Sequence, residues 1–408
     1  MELSIEKKSS PLWQFLIYFV MLCFTFISTP KTGMTHLISR AIQLIEVIFF
    51  ATLIIKNYKQ GLRVYGFNSG VNLWWLFYTI LAYLFSSSVG LTPCFQWMNV
   101  MIFLLLGTCY WQHNYIESLK YIATVFSFLI YLNTILLLLF PDGLWIDTEW
   151  VGRGNPTRYL FGNYNQIGFV SLLGITTQAM YTFYSGKGRL NLYIILLLSI
   201  GSVVFVGSMT SFIGLSIFAA YILLHKHIRH PRIYVWIFTI VYLLFFFFIV
   251  WYGNSIEEIK WAAQFIEQQL SKDTTFTFRT LIWENAVYMI QKSPWIGHGI
   301  QSVEWNDVYL EASGPHNLWL MLLLQGGRIL CISFITIVVY IVHKALKART
   351  MTSILGVVSL CVLFIMSMFE TYFIAQIFLL LQFVYYATFT PNPDTITEDA
   401  NNPQITKI

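Results

Sequence analysis

Charge is what this chain has least of. Only 11% of its 408 residues are Asp, Glu, Lys or Arg, against 57% hydrophobic and 18% aromatic. A soluble globular domain carries about 25% charged residues, and no soluble shape of this length has interior enough for so much apolar side chain. The chain is expected to be polytopic, with the bilayer as solvent for most of its surface. Its formal net charge of +5 is modest, and no nucleic-acid partner is expected. Cysteine is also scarce. Cys23, Cys94, Cys109, Cys331 and Cys361 lie in or beside apolar segments without paired or metal-ligand spacing, so they read as small buried hydrophobes. The first apolar run lacks a small-residue cleavage site and reads as a retained span. No Asp-x-Asp element stands on the long loops, and neither metal nor other cofactor is expected.

What is present is a series of long apolar runs. A span needs about 20 predominantly apolar residues. Twelve candidates follow: 12–29, 37–55, 71–88, 93–110, 119–140, 163–184, 190–207, 211–225, 233–252, 317–342, 352–369 and 371–389. The fold class expected is an all-α polytopic membrane protein of about twelve transmembrane helices. Lys and Arg in short loops set orientation. With the N-terminus inside, the inner loops hold Lys7, Lys8, Lys56, Lys59, Arg63, Lys120, Lys187, Arg189, Lys226, Arg229, Arg232, Lys344, Lys347 and Arg349. The short outer loops hold little beyond Lys31. Residues 1–390 form the transmembrane domain, and the polar tail 391–408 reads as a disordered cytoplasmic end.

Two outer loops are long, 141–162 and 253–316, and loops of such length are usually functional or disordered. In the second, between the ninth and tenth spans, helical spacing recurs twice: Ile256, Ile259, Ala263, Ile266, Leu270, then Phe278, Ile282, Ala286, Met289. Two amphipathic helices over the mouth of the bundle are expected.

The candidate chemistry gathers on this outer side. His316 is expected on the first turn of the tenth span. Arg153 and Arg158 lie in one loop and Arg279 in the other, and Arg328 stands about two to three turns beyond His316. The larger loop is net acidic, so an anion would be bound at specific arginines, whose planar fork suits phosphate oxygens. Each residue also has a plainer reading. Arg279 can stack on Trp283 as a surface cation–π pair, Arg153 can be a solvated loop charge, Asn163 and Asn165 can cap the sixth span, and Arg328 can snorkel or pair within the bundle. Glu304, Asp307 and Glu311 are near His316 in sequence and could act as base or orient it. Glu46, within the second span, and Glu370, at the last hairpin, are suspects because acids near a membrane are costly. His225, His227 and His230 lie among Lys and Arg on the inner side and read as a topology signal.

"RTLIWENAVYMIQKSPWIGHGI" followed by "PHNLWLMLLLQGG" resembles the signature region of the O-antigen ligase and Wzy-type polysaccharide polymerase superfamily. The matching positions are Arg279, Trp283, Pro294, Gly297, Gly299, His316, Asn317 and Gly326. "RYLFGNYNQIGF" resembles a further element of that family through Arg158, Asn163 and Asn165. The resemblance implies transfer of a glycan from a polyprenyl diphosphate carrier to an acceptor hydroxyl, outside the bacterial cytoplasmic membrane and without a nucleotide sugar. Both termini would then be cytoplasmic. A diphosphate is already a good leaving group and needs charge neutralisation, to which Arg158 and Arg279, with Arg328 and Arg153 as further contacts, are suited. The acceptor hydroxyl is a poor nucleophile, and His316 is the expected general base, kept neutral by the positive end of its helix. One displacement by the activated hydroxyl predicts inversion. Gly326–Gly327 would admit a neighbouring helix or the lipid chain.

The reading preferred is a polymerase of lipid-linked repeat units, because such polymerases are the more varied and numerous group. A flippase and a chain-length regulator of the same pathway are the further partners it implies. A ligase moving finished polymer to a final acceptor is the alternative within the same chemistry. A twelve-span transporter or flippase for a lipid-linked glycan is the alternative from another class, but the sequence shows no convincing internal repeat of the kind such proteins carry.

Overall fold

A computed structural model describes residues 11–28, 66–85, 112–148, 155–227, 231–251 and 279–389, with isolated positions between them. The described residues are helical almost throughout. In chain order the helices are α1 (Pro11–Phe26), α2 (Gly66–Phe85), α3 (Gln112–Leu139), α4 (Tyr164–Ser185), α5 (Arg189–Phe205), α6 (Met209–Leu224), α7 (Pro231–Phe245, continued as a π-helix to Trp251), α8 (Arg279–Lys292), α9 (Val303–Leu310), α10 (Leu318–Ala348), α11 (Met351–Ser367) and α12 (Ile374–Ala387). Most occupy expected spans, whereas 37–55 and 93–110 fall, apart from single positions, outside the described residues. Among the described residues, three helices are long and apolar enough to cross a membrane: Tyr115–Leu139, Arg232–Trp251 and Leu318–Ala348.

α3, α4 and α5 pack together, with α1 against α3 and α11 against α4 and α6. The approach is close where side chains are absent. A Cβ on Gly174 would lie 2.6 Å from Ile130 Cδ1, and one on Gly168 2.1 Å from Ser211 Oγ. In lipid such small-residue contacts replace the hydrophobic drive between helices. The ends opposite the long loops are tied as well: an Arg232 N–H donates to Leu346 O over 3.0 Å, and the Lys344 ammonium sits over the rings of Tyr340, Tyr385 and Phe389.

The long loops are built locally. In 141–162, β1 (Trp145–Ile146) pairs antiparallel with β2 (Thr157–Arg158), a small exception to an all-helical chain. In 253–316 the first expected helix lies outside the described residues, and α8 stands where the second was expected. α9 was not anticipated, since its eight residues are too few to show a period. It is capped by Ser302, whose hydroxyl accepts from Trp305 N–H.

α10 is not one straight rod. At its far end Ser353 Oγ donates to Ala345 O over 2.9 Å, and at its start Asn317 Nδ2 donates to Met368 O over 2.9 Å. Between these ties α11 provides a rise of about 22 Å, whereas a straight α10 would need about 42 Å. The chain bends at Gly327, whose φ of 61° and ψ of −161° break the helix in a region nearly reserved for glycine. The backbone groups freed by the break are satisfied by the turn after α8. His298 N–H donates to Leu324 O at 2.6 Å and Gly299 N–H to Gln325 O at 3.0 Å. In return Arg328 N–H donates to Pro294 O at 2.9 Å and Ile329 N–H to Trp295 O at 3.3 Å. A Cβ on Gly297 would stand 2.6 Å from Leu324 O, and one on Gly327 2.2 Å from the carbonyl carbon of Trp295.

The Pro-x-x-Gly-x-Gly element and Gly326–Gly327 are therefore two halves of one joint, and the expectation that the glycines admit a helix or lipid chain is replaced by the 294–299 turn. Gly327→Ala is expected to cost about 3 kcal/mol or more, combining backbone strain with overlap against Trp295. A thermal melt of the purified variant that matched the wild type would show that the joint tolerates a side chain.

Candidate functional site

Three segments distant in sequence meet where α8, α10 and α11 converge: the first residue of α8, the turn before α10, and the loop 368–373 between α11 and α12. α8 opens at Arg279, whose guanidinium donates to Phe369 O and, at 2.5 Å, to Glu370 Oε1. Its side chain is 18% exposed and that of Glu370 8%. The other oxygen of Glu370 faces His316 Nδ1 at 3.7 Å, an ion-pair distance longer than a hydrogen bond. Burial by itself would raise the Glu370 carboxyl, but His316 and the Arg279 charge beside it outweigh burial and hold it below the usual carboxylate value.

The neighbours of His316 are both pinned. Trp283, fully buried one turn along α8 from Arg279, donates its indole N–H to Pro315 O over 3.1 Å. Asn317 is the N-cap of α10, its Oδ1 accepting from Trp319 and Leu320 N–H while its Nδ2 holds Met368 O. From α9, Asn306 Nδ2 donates to Ser313 O over 3.2 Å. Held from both sides, His316 adopts a φ of 45°, a left-handed conformation that costs about 1–2 kcal/mol. Its side chain stays about one-third exposed, and Nδ1 has no hydrogen-bond partner. The centre thus offers an accessible imidazole backed by a buried carboxylate, itself neutralised by a guanidinium.

Trp283→Phe tests this support. It keeps an aromatic ring but shrinks a fully buried side chain and leaves Pro315 O without its donor, a combined expected loss of about 2–4 kcal/mol. A melting temperature equal to the wild type's would show that the indole N–H contributes nothing.

Several expectations are corrected. His316 is not on the first turn of the helix. It precedes the cap, because Asn317 takes the side-chain role that starts α10. Trp283 is not a surface partner for Arg279 but a buried post under Pro315. The acid brought to His316 is Glu370, which sequence reasoning had noted at the last hairpin without joining it to the site. The signal was there: a lone carboxylate between two apolar helices is costly unless paired.

The other arginines stand elsewhere. Arg158 is 8% exposed. It donates to Asp147 Oδ2 at 3.2 Å and to the carbonyls of Asn155 and Thr157 at 2.8 and 3.1 Å, so it stitches its own loop. Arg328 is exposed at the joint, its guanidinium 5.2 Å from the centre of the Trp295 ring. The bend sets it at the start of the second half of α10, not part-way along a continuous span. Arg153 and Glu46 lie outside the described residues.

Asn163 caps α4, its side chain accepting from Gln166 N–H over 3.0 Å. Asn165 Oδ1 accepts from Ser208 Oγ at 2.8 Å, and Ser208 and Ser211 hydroxyls are 2.8 Å apart. Tyr372, from the loop that carries Glu370, stacks on Phe169 of α4 at 5.0 Å. The Asn-x-Asn element therefore caps α4 and ties it to Ser208 between α5 and α6, while Phe169 of the same helix packs against the Glu370 loop. His225 Nδ1 lies 2.8 Å from Ile222 O with its ring against Phe183, while the side chains of His227 and His230 fall outside the described residues.

The model of the family described as O-antigen ligase matches residues 194–335. The matched segment contains Arg279, Trp283, His316, Asn317 and the whole 294–299/326–327 joint, and it is consistent with the O-antigen ligase and Wzy-type superfamily of membrane glycan-handling enzymes. Arg158 and Glu370 lie outside it. No curated protein matches the chain.

Proposed function

We propose, from a segment similar to the O-antigen ligase family and the centre it carries, that this protein is a membrane-embedded glycosyltransferase with His316 as its general base. The donor is a glycan on a polyprenyl diphosphate and the acceptor a sugar hydroxyl of a second lipid-linked repeat unit, so that the product is a lengthened, lipid-linked polymer. As the hydroxyl oxygen bonds to the anomeric carbon, the bond from that carbon to the diphosphate breaks and the polyprenyl diphosphate leaves with the electron pair. The hydroxyl proton passes to His316, and the configuration inverts.

One observation carries the reading: an accessible imidazole whose Nδ1 faces Glu370 at 3.7 Å, with Glu370 fixed by Arg279. A carboxylate behind an imidazole orients the ring and stabilises the imidazolium that forms, as in catalytic triads. Catalytic contacts often tighten only when substrate is bound. Arg279 uses two N–H groups on Phe369 O and Glu370. A guanidinium has five, so donors remain for the charge that develops on the leaving diphosphate. Arg158 is committed to Asp147 and supports the reading as a brace of the 141–162 loop.

The positive-inside pattern puts Arg158, Arg279, His316 and Glu370 on the outer side of a bacterial cytoplasmic membrane, with both termini inside. Within the same chemistry, the family description favours a second reading, transfer of a finished polymer to a final acceptor. Purified protein in proteoliposomes, supplied with a lipid-linked repeat unit alone, distinguishes the two. A ladder of lipid-linked oligomers supports the polymerase, while transfer only after a distinct acceptor is added supports the ligase. Unconsumed donor with either acceptor would overturn the transferase reading.

A further inference from the structure

The joint at Gly327 leaves two cations on the outside of the protein, away from the Arg279–Glu370–His316 centre. Arg328 is exposed, its guanidinium lying 5.2 Å from the centre of the Trp295 ring, and Lys292 is exposed with its ammonium 4.3 Å from that of Tyr288. The two positions are joined through the backbone, because Arg328 N–H donates to Pro294 O two residues beyond Lys292. Neither cation has a carboxylate partner among the described residues, in contrast to Arg158 and Arg279, each of which has one. The surface around them is apolar and open: Trp295 is 58% exposed, Tyr288 59%, Ile329 45% and Ile332 58%.

From the break onward α10 runs from Arg328 to Ala348, about 31 Å, which matches the hydrocarbon thickness of a bilayer. Arg328 therefore marks the end of the true membrane crossing, at the level where Trp and Tyr side chains gather at a membrane interface. An uncompensated guanidinium there rests on an aromatic face, its backbone bonded to Pro294 two residues beyond Lys292, and at that level it would meet lipid phosphate groups.

We infer that Arg328, Lys292 and the Trp295 face bind the phosphate of an anionic phospholipid of the surrounding outer leaflet. The guanidinium fork suits phosphate oxygens, Lys292 adds a second positive charge, and the exposed isoleucines of α10 run alongside the acyl chains. The lipid would seat against the joint, because the same residues carry both contacts. Arg328 holds Pro294 O through its backbone and Trp295 through its side chain, so a headgroup on Arg328 also fastens the 294–299 turn to the broken helix. The polyprenyl diphosphate donor carries similar chemistry, but the geometry favours the bulk lipid. Arg328 faces outward with Ile329 and Ile332, whereas Arg279 and Glu370 are turned inward. The inference rests on the membrane reading and not on the transferase chemistry, and its test reads lipid, not glycan.

The experiment measures phospholipid retained by full-length protein in mild detergent, by native mass spectrometry, and the rise in melting temperature on adding phosphatidylglycerol. Wild type is expected to retain phospholipid and to be stabilised by phosphatidylglycerol more than by phosphatidylcholine. In the Arg328→Gln/Lys292→Gln variant the phosphatidylglycerol concentration for half the effect is expected to rise about thirtyfold, from two charges near the surface. Lys292→Gln alone, on an exposed side chain, gives a smaller shift and serves if the double variant does not fold. Equal retention and equal stabilisation in variant and wild type would overturn the proposal. So would an unchanged phosphatidylglycerol response with lost binding of polyprenyl diphosphate in vesicles, which would assign the cations to the donor. Equal response of the wild type to the two phospholipids would overturn the anionic preference.

Discussion

On the proposed mechanism, His316→Ala is expected to leave a folded protein whose glycan transfer is about 10²- to 10⁴-fold slower, the usual worth of a positioned general base. The fold survives because the imidazole is about one-third exposed and its Nδ1 makes no hydrogen bond. The pinning of the turn comes from other groups, namely Trp283 on Pro315 O and Asn317 on Met368 O. The backbone at 316 stays in its left-handed conformation, which alanine tolerates no better than histidine, so the melting temperature is expected to change little. The decisive measurement is the profile of lipid-linked and surface glycans in cells that rely on the variant. Single repeat units accumulating on lipid, without long chains, are expected of a polymerase, and long chains stranded on lipid of a ligase. A wild-type profile at a normal protein level would remove His316 from the chemistry.

Much of this centre could be read from the chain before any fold was known. Arg279, Trp283, His316 and Asn317 stand out because polar and charged residues are few and cluster where apolar runs end. The helices likewise follow from the runs themselves. What could not be read is whatever depends on distant segments meeting. Glu370 lies 91 residues from Arg279, and no local periodicity joins a hairpin acid to a particular arginine and histidine. Arg158 reads as a free cation until the two-residue ladder brings Asp147 beside it.

The bend in α10 is not legible because residues 317–342 read as one apolar span, in which Gly326–Gly327 looks like a packing notch. That a turn some thirty residues earlier supplies the missing hydrogen bonds is a tertiary fact. α9 escaped for the opposite reason, being local but too short to show a pattern.

Glu370→Gln separates stability from chemistry. The substitution keeps the shape and an oxygen for Arg279, yet it leaves a largely buried guanidinium without its counter-charge, at an expected cost of about 3 kcal/mol. That cost depends on pH in a definite sense. In the wild type the carboxyl is held below its ordinary value of 4.5, so the folded state favours the ionised form. The stability it contributes is present above that value and is lost as pH falls through the lower, folded-state value. The gap in melting temperature between wild type and variant is therefore widest near neutrality and closes in acid. A gap that stays constant down to pH 3 would show that the charge on Glu370 contributes nothing.

The catalytic effect has a separate signature. On the proposed mechanism, the imidazolium that forms at His316 as it takes the hydroxyl proton loses its counter-charge when the carboxylate is removed. Turnover per folded molecule is therefore expected to fall in Glu370→Gln. A Glu370 that served only to brace the loop would lower the melting temperature and leave the turnover of the folded protein unchanged. Glu370→Asp, which keeps the charge on a shorter arm, is expected to recover only part of the rate, because the distance to His316 Nδ1 is already 3.7 Å. The rate lost in Glu370→Gln thus reports the carboxylate's charge, and the rate recovered in Glu370→Asp reports its reach.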